Sequence, residues 1–188
     1  MTTVYFIRHA EPDLSVHDDF SRPLSLKGIH DCTRVSDFLQ DKNIQVALSS
    51  PYRRAVDTIL PFASSVNLEI EPIIDFRERA VTDAWIEDFT AFTRQQWADF
   101  SYKLPRGECL FEVQQRNVDA LKKILTQHSG ANMIIGTHGT ALSTIINYYD
   151  KNYGYEDFQA IANIFPWVVK MVFDEQNCVK IEQVDLFA

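Results

Sequence analysis

Two histidines and three arginines stand where apolar runs of this sequence end, and such residues together could carry out phosphoryl chemistry. Arg8 and His9 come directly after "VYFI". Arg53 and Arg54 follow "VALSS", and His138 follows "MIIGT". The guanidinium fork of arginine matches the oxygens of phosphate or carboxylate in pairs. A neutral imidazole attacks phosphorus well, and nearby guanidinium groups discourage protonation of the ring.

An acid is the remaining group that such a site needs, because a leaving oxygen must gain a proton as its bond to phosphorus breaks. Glu78 follows the apolar run "IIDF" and is the favoured acid. Its neighbours Arg77 and Arg79 would project opposite to it in an extended chain. Three other carboxylates nearby in sequence could serve instead: Glu11, Asp83 and Glu87.

The second histidine could bind the same phosphoryl oxygens, so the site needs no metal. His17, Asp18 and Asp19 look like a metal cluster, but three consecutive residues on a loop rarely all face one ion. We therefore expect neither a metal nor a cofactor.

Short apolar runs alternate with helical patterns along the chain, which predicts an α/β fold. The strand candidates are "TVYFI", "IQVALSS", "LEIEPIIDF", "NMIIGTHGT" and a terminal hairpin of "PWVVKMVF" and "CVKIEQVDL". Pro72 places the third of these near a sheet edge or a bulge. Helices are predicted over 23–41, 51–65, 108–128 and 141–149, with a partly helical, aromatic-rich segment from 83 to 104 that contains Trp85. In mostly parallel sheets the ligand lies beyond the carboxyl ends of the strands, where the polar residues named above are found.

The first predicted helix has an apolar face and a cap. Ser25 is placed to cap its start. The face consists of Leu26, Ile29, Cys32, Val35 and Leu39.

The composition predicts a globular protein in one domain spanning residues 1–188. The net charge of −8 argues against binding of nucleic acid or of anionic membranes. The three cysteines lack disulfide or zinc spacing, no apolar stretch is long enough to span a membrane, and the N-terminus lacks a basic, signal-like region. We expect a cytoplasmic location; the sequence leaves the oligomeric state open.

Four segments resemble, in order, the motifs of the histidine phosphatase superfamily, also called the phosphoglycerate mutase-like family. "FIRHAE" is similar to the family's strand-plus-RH[GA]-E signature, and "LSSPYRRAVDT" to its SSP-x-x-RA-x-x-T segment. "DFRERAV" stands where the family carries its acidic proton donor, and "IIGTHGT" resembles the second histidine motif. "RPLSLKG" and "PRGECLFEVQQR" resemble two supporting segments, with Cys109 in place of the usual serine.

The resemblance implies a three-layer αβα sandwich with a mostly parallel central sheet and a phosphorylated small molecule as substrate. His9 is the expected phosphoacceptor, with His138 and Glu78 as the other catalytic residues. Arg8 and Arg54 are expected to bind the phosphoryl group, and the match selects Arg54, directly before an alanine, over its neighbour.

Substrate-binding roles are also expected for Arg22 and for Gly139, the glycine after the second histidine. The asparagine that many members place seven residues after the nucleophile would fall at Val16. Ser15, the stretch 17–21 or Arg22 substitutes for it, or fewer groups hold the phosphate.

The resemblance favours a phosphomonoester hydrolase that works through phospho-His9. A phosphoglycerate-mutase-type phosphotransferase is the first alternative, because it shares the chemistry. Such mutases are usually longer than this chain, which favours hydrolysis. A non-catalytic phospholigand-binding protein is the second, and the two histidines and two arginines argue against it.

Overall fold

The computed structural model describes residues 1–83 and 86–187, which form one six-stranded sheet. Its strands are β1 (Thr2–Arg8), β2 (Val46–Ser49), β3 (Ile70–Pro72), β4 (Asn132–Thr137), β5 (Trp167–Asp174) and β6 (Asn177–Val184). Their order is β3-β2-β4-β1-β5-β6. The first four strands run parallel to one another, and the terminal hairpin of β5 and β6 adds antiparallel to β1. The predicted mostly parallel sheet is confirmed.

Helices separate the strands along the chain up to β5, and parallel neighbours such as β2 and β3 are joined through one. They are α1 (Leu26–Leu39), α2 (Arg53–Ser65), α3 (Phe89–Ala98), α4 (Leu110–Gln127), α5 (Gly139–Tyr149) and α6 (Tyr155–Ala160), with a 3-10 turn at Ile74–Phe76. The Ser25 side chain accepts a hydrogen bond from the backbone N–H of Gly28, so the predicted cap of α1 is present.

Successive side chains of the strands point to opposite faces of the sheet, and helices cover both faces. Val4 and Phe6 of β1 pack in a core with residues of α4 and α5. Tyr5 and Ile7 pack on the other side with residues of α1 and α2. The molecule therefore has three layers, helices on either face of one sheet, which is the predicted αβα sandwich.

Two predicted elements differ in the structure. The third strand ends at Pro72, and the chain then enters the 3-10 turn, in which Phe76 is fully buried. Proline has no N–H to donate to a ladder, and β3 is the sheet edge that the sequence predicts.

The apolar face of α1 begins later than predicted, because Leu26 and Ile29 are 88% and 58% exposed. A Cβ on Gly28 would collide with the backbone oxygen of Glu11, so Gly28 is the residue that this first turn places against the protein. Cys32, Val35 and Leu39 are buried as predicted.

None of the helices described for residues 1–83 and 86–187 has the length and apolar character needed to cross a membrane.

Candidate active site

The carboxyl ends of two neighbouring strands, β1 and β4, bring the two candidate histidines together. His9 follows β1, and its backbone N–H donates to the carbonyl of Thr137 at the end of β4 (3.0 Å). His138 is the residue directly after β4. The pairing of β1 with β4 thus places the imidazole rings at a centroid distance of 5.3 Å. We call His9 and His138 the histidine pair.

The local contacts of His9 leave one ring nitrogen free to act as a nucleophile. Nδ1 lies 2.8 Å from the carbonyl oxygen of Ala10. Because a carbonyl oxygen only accepts, Nδ1 carries the proton and Nε2 carries the lone pair. Burial, followed by the positive charges of Arg54 and Arg8, lowers the pKa of His9 well below its ordinary value of 6.5. His9 is therefore a neutral imidazole at neutral pH.

His138 is fully buried and is held by the end of β2. Its Nε2 lies 2.8 Å from the hydroxyl of Ser50, whose backbone N–H donates to the carbonyl of Gly136. Its Nδ1 is buried without a hydrogen-bond partner among the described residues. Burial, followed by the charges of Arg54 and of His9, lowers the pKa of His138 well below 6.5. When the Ser50 hydroxyl donates to Nε2, Nδ1–H is a donor with no partner of its own.

Arg8 is fixed by a loop before β5. Its Nη1 donates to the carbonyls of Ile161 (2.5 Å) and Ile164 (3.2 Å), and its Nε is buried without a described partner. The guanidinium carbon lies 3.9 Å from the centre of the Phe165 ring. On the other side, a Cβ on Gly139 would come within 3.1 Å of Nε. Gly139 thus leaves room for the arginine, while its own contact with a substrate stays a prediction.

Arg54 and Arg22 meet at one carboxylate. Asp19 Oδ1 lies 3.1 Å from Nη2 of Arg54 and 3.0 Å from Nη1 of Arg22. Arg22 also donates to the carbonyls of Val16 (2.7 Å) and His17 (3.1 Å), so it ties the loop over residues 13–23 to the site. Its charge contributes to the lowered pKa of His9, which places it within electrostatic reach of the histidine pair. Two of the proposed substitutes for the missing asparagine lie in this cluster: Arg22, and Asp19 of the stretch 17–21.

Glu78 lies next to Arg8 and at the start of α5. Its Oε1 accepts from the backbone N–H of Arg79 (2.8 Å) and its Oε2 from the N–H of Thr140 (3.1 Å). Two of the competing carboxylates are engaged elsewhere. Glu11 accepts from the Ser25 hydroxyl (2.7 Å), and Asp83 forms an exposed ion pair with Arg106 (2.7 Å).

The supporting segment that begins α4 holds the chain around Glu78. Arg116 donates to the carbonyls of Asp75 (2.6 Å), Arg77 (2.9 Å) and Glu78 (3.3 Å). The Glu108 carboxylate accepts from Arg116 (2.8 Å) and from Arg77 (2.8 Å). A single arginine therefore holds three backbone carbonyls between residues 75 and 78, beside the candidate acid.

A cavity of about 350 Å³ adjoins the cluster, and we call it the side cavity. Arg8, Glu78 and Gly139 form its wall toward the site, whereas neither member of the histidine pair lines it. The remaining lining residues are Arg79, Val81, Phe89, Thr90, Thr93, Thr140, Phe158, Gln159, Ile161 and Ala162. An aromatic residue of the 83–104 segment, Phe89, thus lines the cavity, while Trp85 lies outside the described residues.

The prediction that Arg79 points away from Glu78 is wrong, because both residues line the side cavity. The chain after the 3-10 turn is irregular, so the strict alternation of an extended strand does not apply to it. Arg77, by contrast, points to Glu108 as described above. Arg53 is largely exposed and pairs with Asp57 (3.2 Å), which places it outside the cluster.

No group of three or more metal-ligating side chains exists within residues 1–83 and 86–187. The loop residues that resembled such a group have other partners. Asp18 accepts from the hydroxyl and backbone N–H of Ser21, and Asp19 pairs with two arginines.

Sequence reasoning missed the roles of Ser50, Asp19 and Arg79. Ser50 was visible in the matched "LSSP" segment, where its position at a strand end was the signal. Asp19 and Arg79 lie in irregular chain, and no periodic pattern marks the direction of a side chain there.

Comparison with known proteins identifies the family. The family model for the histidine phosphatase superfamily (branch 1) matches residues 4–180. An uncharacterized phosphatase of Bacillus subtilis (strain 168), PhoE, is 25% identical over 150 residues, covering 78% of this chain and 76% of that protein. A probable phosphoglycerate mutase of Serratia proteamaculans (strain 568), GpmB, is 23% identical over 159 residues, covering 78% and 74%.

A solved structure shares the fold over nearly its whole length. YhfR of Bacillus stearothermophilus superposes with a TM-score of 0.77 at 24% identity, covering 95% of this chain and 94% of that one. Because the family model matches most of the chain, the protein belongs to the histidine phosphatase superfamily. Its relatives include a phosphatase and a probable mutase, and it is an enzyme of phosphoryl transfer or hydrolysis.

Proposed function

We propose that the protein is a metal-independent phosphomonoester hydrolase in which Nε2 of His9 attacks the phosphoryl group. The observation that carries this proposal is the buried His9 ring with its proton fixed on Nδ1 by the Ala10 carbonyl. A neutral, oriented imidazole with a free lone pair is the activated nucleophile that phosphoryl transfer needs.

The groups around His9 supply the charge stabilisation. Arg54 and Arg22 bind a carboxylate oxygen in this structure, and a phosphoryl oxygen can take the same position. The unpartnered Nδ1 of His138 and Nε of Arg8 are donors that a transferring phosphoryl group could satisfy. The positive charges of Arg8, Arg22 and Arg54 take the part of a metal ion in this mechanism.

Glu78 gives up a proton in the first chemical step and regains one in the second. In the first, Nε2 of His9 bonds to phosphorus while the ester oxygen leaves and takes a proton from Glu78. In the second, water attacks phosphohistidine, Glu78 accepts a proton from that water, and the N–P bond breaks. Inorganic phosphate leaves, and His9 is neutral again.

The test is phosphate release from a panel of phosphorylated metabolites, measured in the presence of EDTA. We expect release that EDTA leaves unchanged and that His9→Ala abolishes. His30→Ala, which removes an exposed histidine, is the matched control and should retain wild-type activity. Substantial activity in the His9→Ala protein, or loss on chelation that a divalent ion restores, would overturn the proposal.

The mutase relative favours a second candidate, phosphoryl transfer between positions of phosphoglycerate. A hydrolase releases phosphate without a bisphosphorylated primer. Negligible release, together with fast primer-dependent isomerisation of phosphoglycerate, would reverse the order of the two candidates.

A cytoplasmic location and the absence of nucleic-acid and membrane partners stay predictions from charge and composition.

A further inference from the structure

Phe165 is a half-buried aromatic residue that contacts two of the groups proposed to act on phosphorus. The guanidinium carbon of Arg8 lies over its ring, 3.9 Å from the centre. The imidazole of His9 lies against the same ring at a centroid distance of 5.6 Å, with 32° between the two planes. One side chain therefore contacts both the nucleophile and a cation beside it, although residue 165 lies beyond the last motif that the sequence matches.

The sheet explains why Phe165 reaches the site. Strand β5 runs antiparallel to β1, and Trp167 at its start pairs with Arg8 at the end of β1. The chain that leads into β5 must therefore pass beside the chain that leaves β1, where His9 lies. The topology thus brings an aromatic ring to the edge of the sheet at which the histidine pair stands.

The same segment restricts the donors of Arg8. A guanidinium has five N–H groups, and three of them go to the carbonyls of Ile161, Ala162 and Ile164. Two donors remain, one on Nη2 and one on Nε, and Nε is buried without a partner among the described residues. Because the guanidinium also lies over the Phe165 ring, these two donors keep one direction.

Arg8 and His9 need a common contact because they are consecutive residues. Successive side chains of an extended chain point to opposite sides, so the backbone of β1 does not by itself hold the two groups together. Phosphoryl transfer requires both at the same phosphorus, and a misplacement of about 1 Å can cost about 10²-fold in rate. A ring that contacts both side chains limits such misplacement.

The Phe165 ring also separates the two groups from a second cavity. That cavity, of about 620 Å³, lies between residues 11–15 and Asn163. Phe165 is part of its wall, whereas neither Arg8 nor His9 lines it. The ring therefore lies between this open space and the nucleophile.

We propose that Phe165 is a positioning residue, whose ring holds the Arg8 guanidinium and the His9 imidazole in the alignment that phosphoryl transfer needs. This role rests on the proposed function, and the ring itself forms or breaks no bond. Leucine could fill much of the same space, but it offers neither a π face to the cation nor a flat surface to the imidazole.

The test is the pair of variants Phe165→Leu and Phe165→Tyr, measured by steady-state kinetics. Both chemical steps involve the bond between Nε2 of His9 and phosphorus, so Phe165→Leu should lower kcat by about 10- to 100-fold whichever step limits turnover. KM should change by less than about threefold, because Arg22 and Arg54 still bind the phosphoryl group. Phe165→Tyr keeps the ring and should stay within about threefold of the wild-type kcat.

Phe38→Leu is the matched control. Phe38 is also half-buried and contacts both a ring, that of Tyr5 (5.8 Å), and a cation, Nζ of Lys42 (4.9 Å), but it lies on α1 outside the active-site cluster. The control should lower the thermal midpoint and leave kcat as in wild type. If Phe165→Leu behaves in the same way, or if Phe165→Tyr loses as much kcat as Phe165→Leu, the proposed role is wrong.

Vanadate binding separates failure of this inference from failure of the proposed function. Vanadate can bond to Nε2 of His9 in a five-coordinate geometry and needs no turnover, whereas inorganic phosphate needs only the positive charges. In calorimetric titrations, Phe165→Leu should weaken vanadate binding about 10- to 100-fold and phosphate binding less than about threefold. Equal vanadate affinity in the wild-type and Phe165→Leu proteins would overturn the role of Phe165. A wild-type protein that shows this dependence but hydrolyses no ester would instead overturn hydrolysis.

Discussion

The histidine pair and the side cavity are neighbours built from different kinds of chain. The histidine pair follows strands β1 and β4, and the backbone hydrogen bond from His9 to Thr137 continues their pairing one residue past the end of β1. The side cavity lies mostly among the irregular chain at 78–81, helix α3 and the 158–162 segment, and it meets the sheet at Arg8, the last residue of β1. Under the proposed function, the sheet thus positions the atoms that act on phosphorus, while irregular chain and helix α3 shape the space for the rest of the substrate.

Glu78→Gln should have the largest effect, and it should distinguish esters by their leaving group. The amide keeps the shape but cannot give a proton to an alkoxide, and loss of a general acid costs about 10²- to 10⁴-fold. An alkyl phosphate should lose this factor in kcat, whereas p-nitrophenyl phosphate, whose phenolate leaves unaided, should lose little. Equal losses on the two esters would remove Glu78 from the acid role and turn attention to Glu11, Asp83 or Glu87.

His138→Ala should act in the opposite pattern, because the proposed mechanism places His138 against the phosphoryl half of the substrate. Removal of one such donor costs about 10²- to 10³-fold in kcat, and we expect it to be equal for alkyl and aryl esters. Steady-state kinetics with both esters measures the effect, and thermal unfolding checks that the buried position tolerates the change. A loss confined to alkyl esters would place His138 on the leaving-group side.

Asp19→Asn should have a smaller effect, and it should improve substrate binding rather than weaken it. The Asp19 carboxylate occupies guanidinium groups of Arg22 and Arg54 that the phosphoryl group also needs. Removal of a partly exposed ion-pair charge changes binding by about 1 kcal/mol, so KM should fall roughly fivefold. A higher KM would show that Asp19 positions the arginines rather than competing with substrate.

The pH dependence of stability tests the buried histidine pair in the absence of substrate. The pKa values of His9 and His138 lie well below 6.5 in the folded protein, so below that pH the unfolded chain binds protons that the folded protein does not. Stability therefore falls as pH drops from about 6.5, by up to roughly 1 kcal/mol per pH unit for each histidine.

Urea unfolding at about pH 7 and pH 5.5 measures this slope. His138→Asn should reduce it, and His30→Gln, at an exposed position, should leave it unchanged. A slope that is the same in the His138→Asn and wild-type proteins would contradict the lowered pKa of that ring.

The contrast between the two regions explains what the sequence could predict. His9, Arg8 and His138 were predictable because parallel strands end at one edge, so any polar residue that follows a strand comes to that edge. Arg54 was predictable because α2 begins three residues after Ser50 at the end of the β2 segment. In each case the end of a strand was sufficient to predict where the side chain lies.

Arg79 and Asp19 were not predictable in the same way. Arg79 is directed inward by the aromatic rings of α3, and such tertiary packing leaves no signal in neighbouring residues. Asp19 is directed by two arginines from separate segments of chain. The exposed Leu26 and Ile29 of α1 show the same limit, since the close contact of Gly28 with Glu11 decides which face of the first turn is buried.

The most direct test of the central claim is the location of the covalent intermediate. Wild-type protein is mixed with ³²P-labelled p-nitrophenyl phosphate, quenched during turnover and digested, because a good leaving group makes phosphohistidine formation fast relative to its hydrolysis. The account predicts an acid-labile, alkali-stable label on the peptide that contains His9, and no label in His9→Ala. A label on the peptide that contains His138, or turnover by the His9→Ala protein at the wild-type rate, would contradict it.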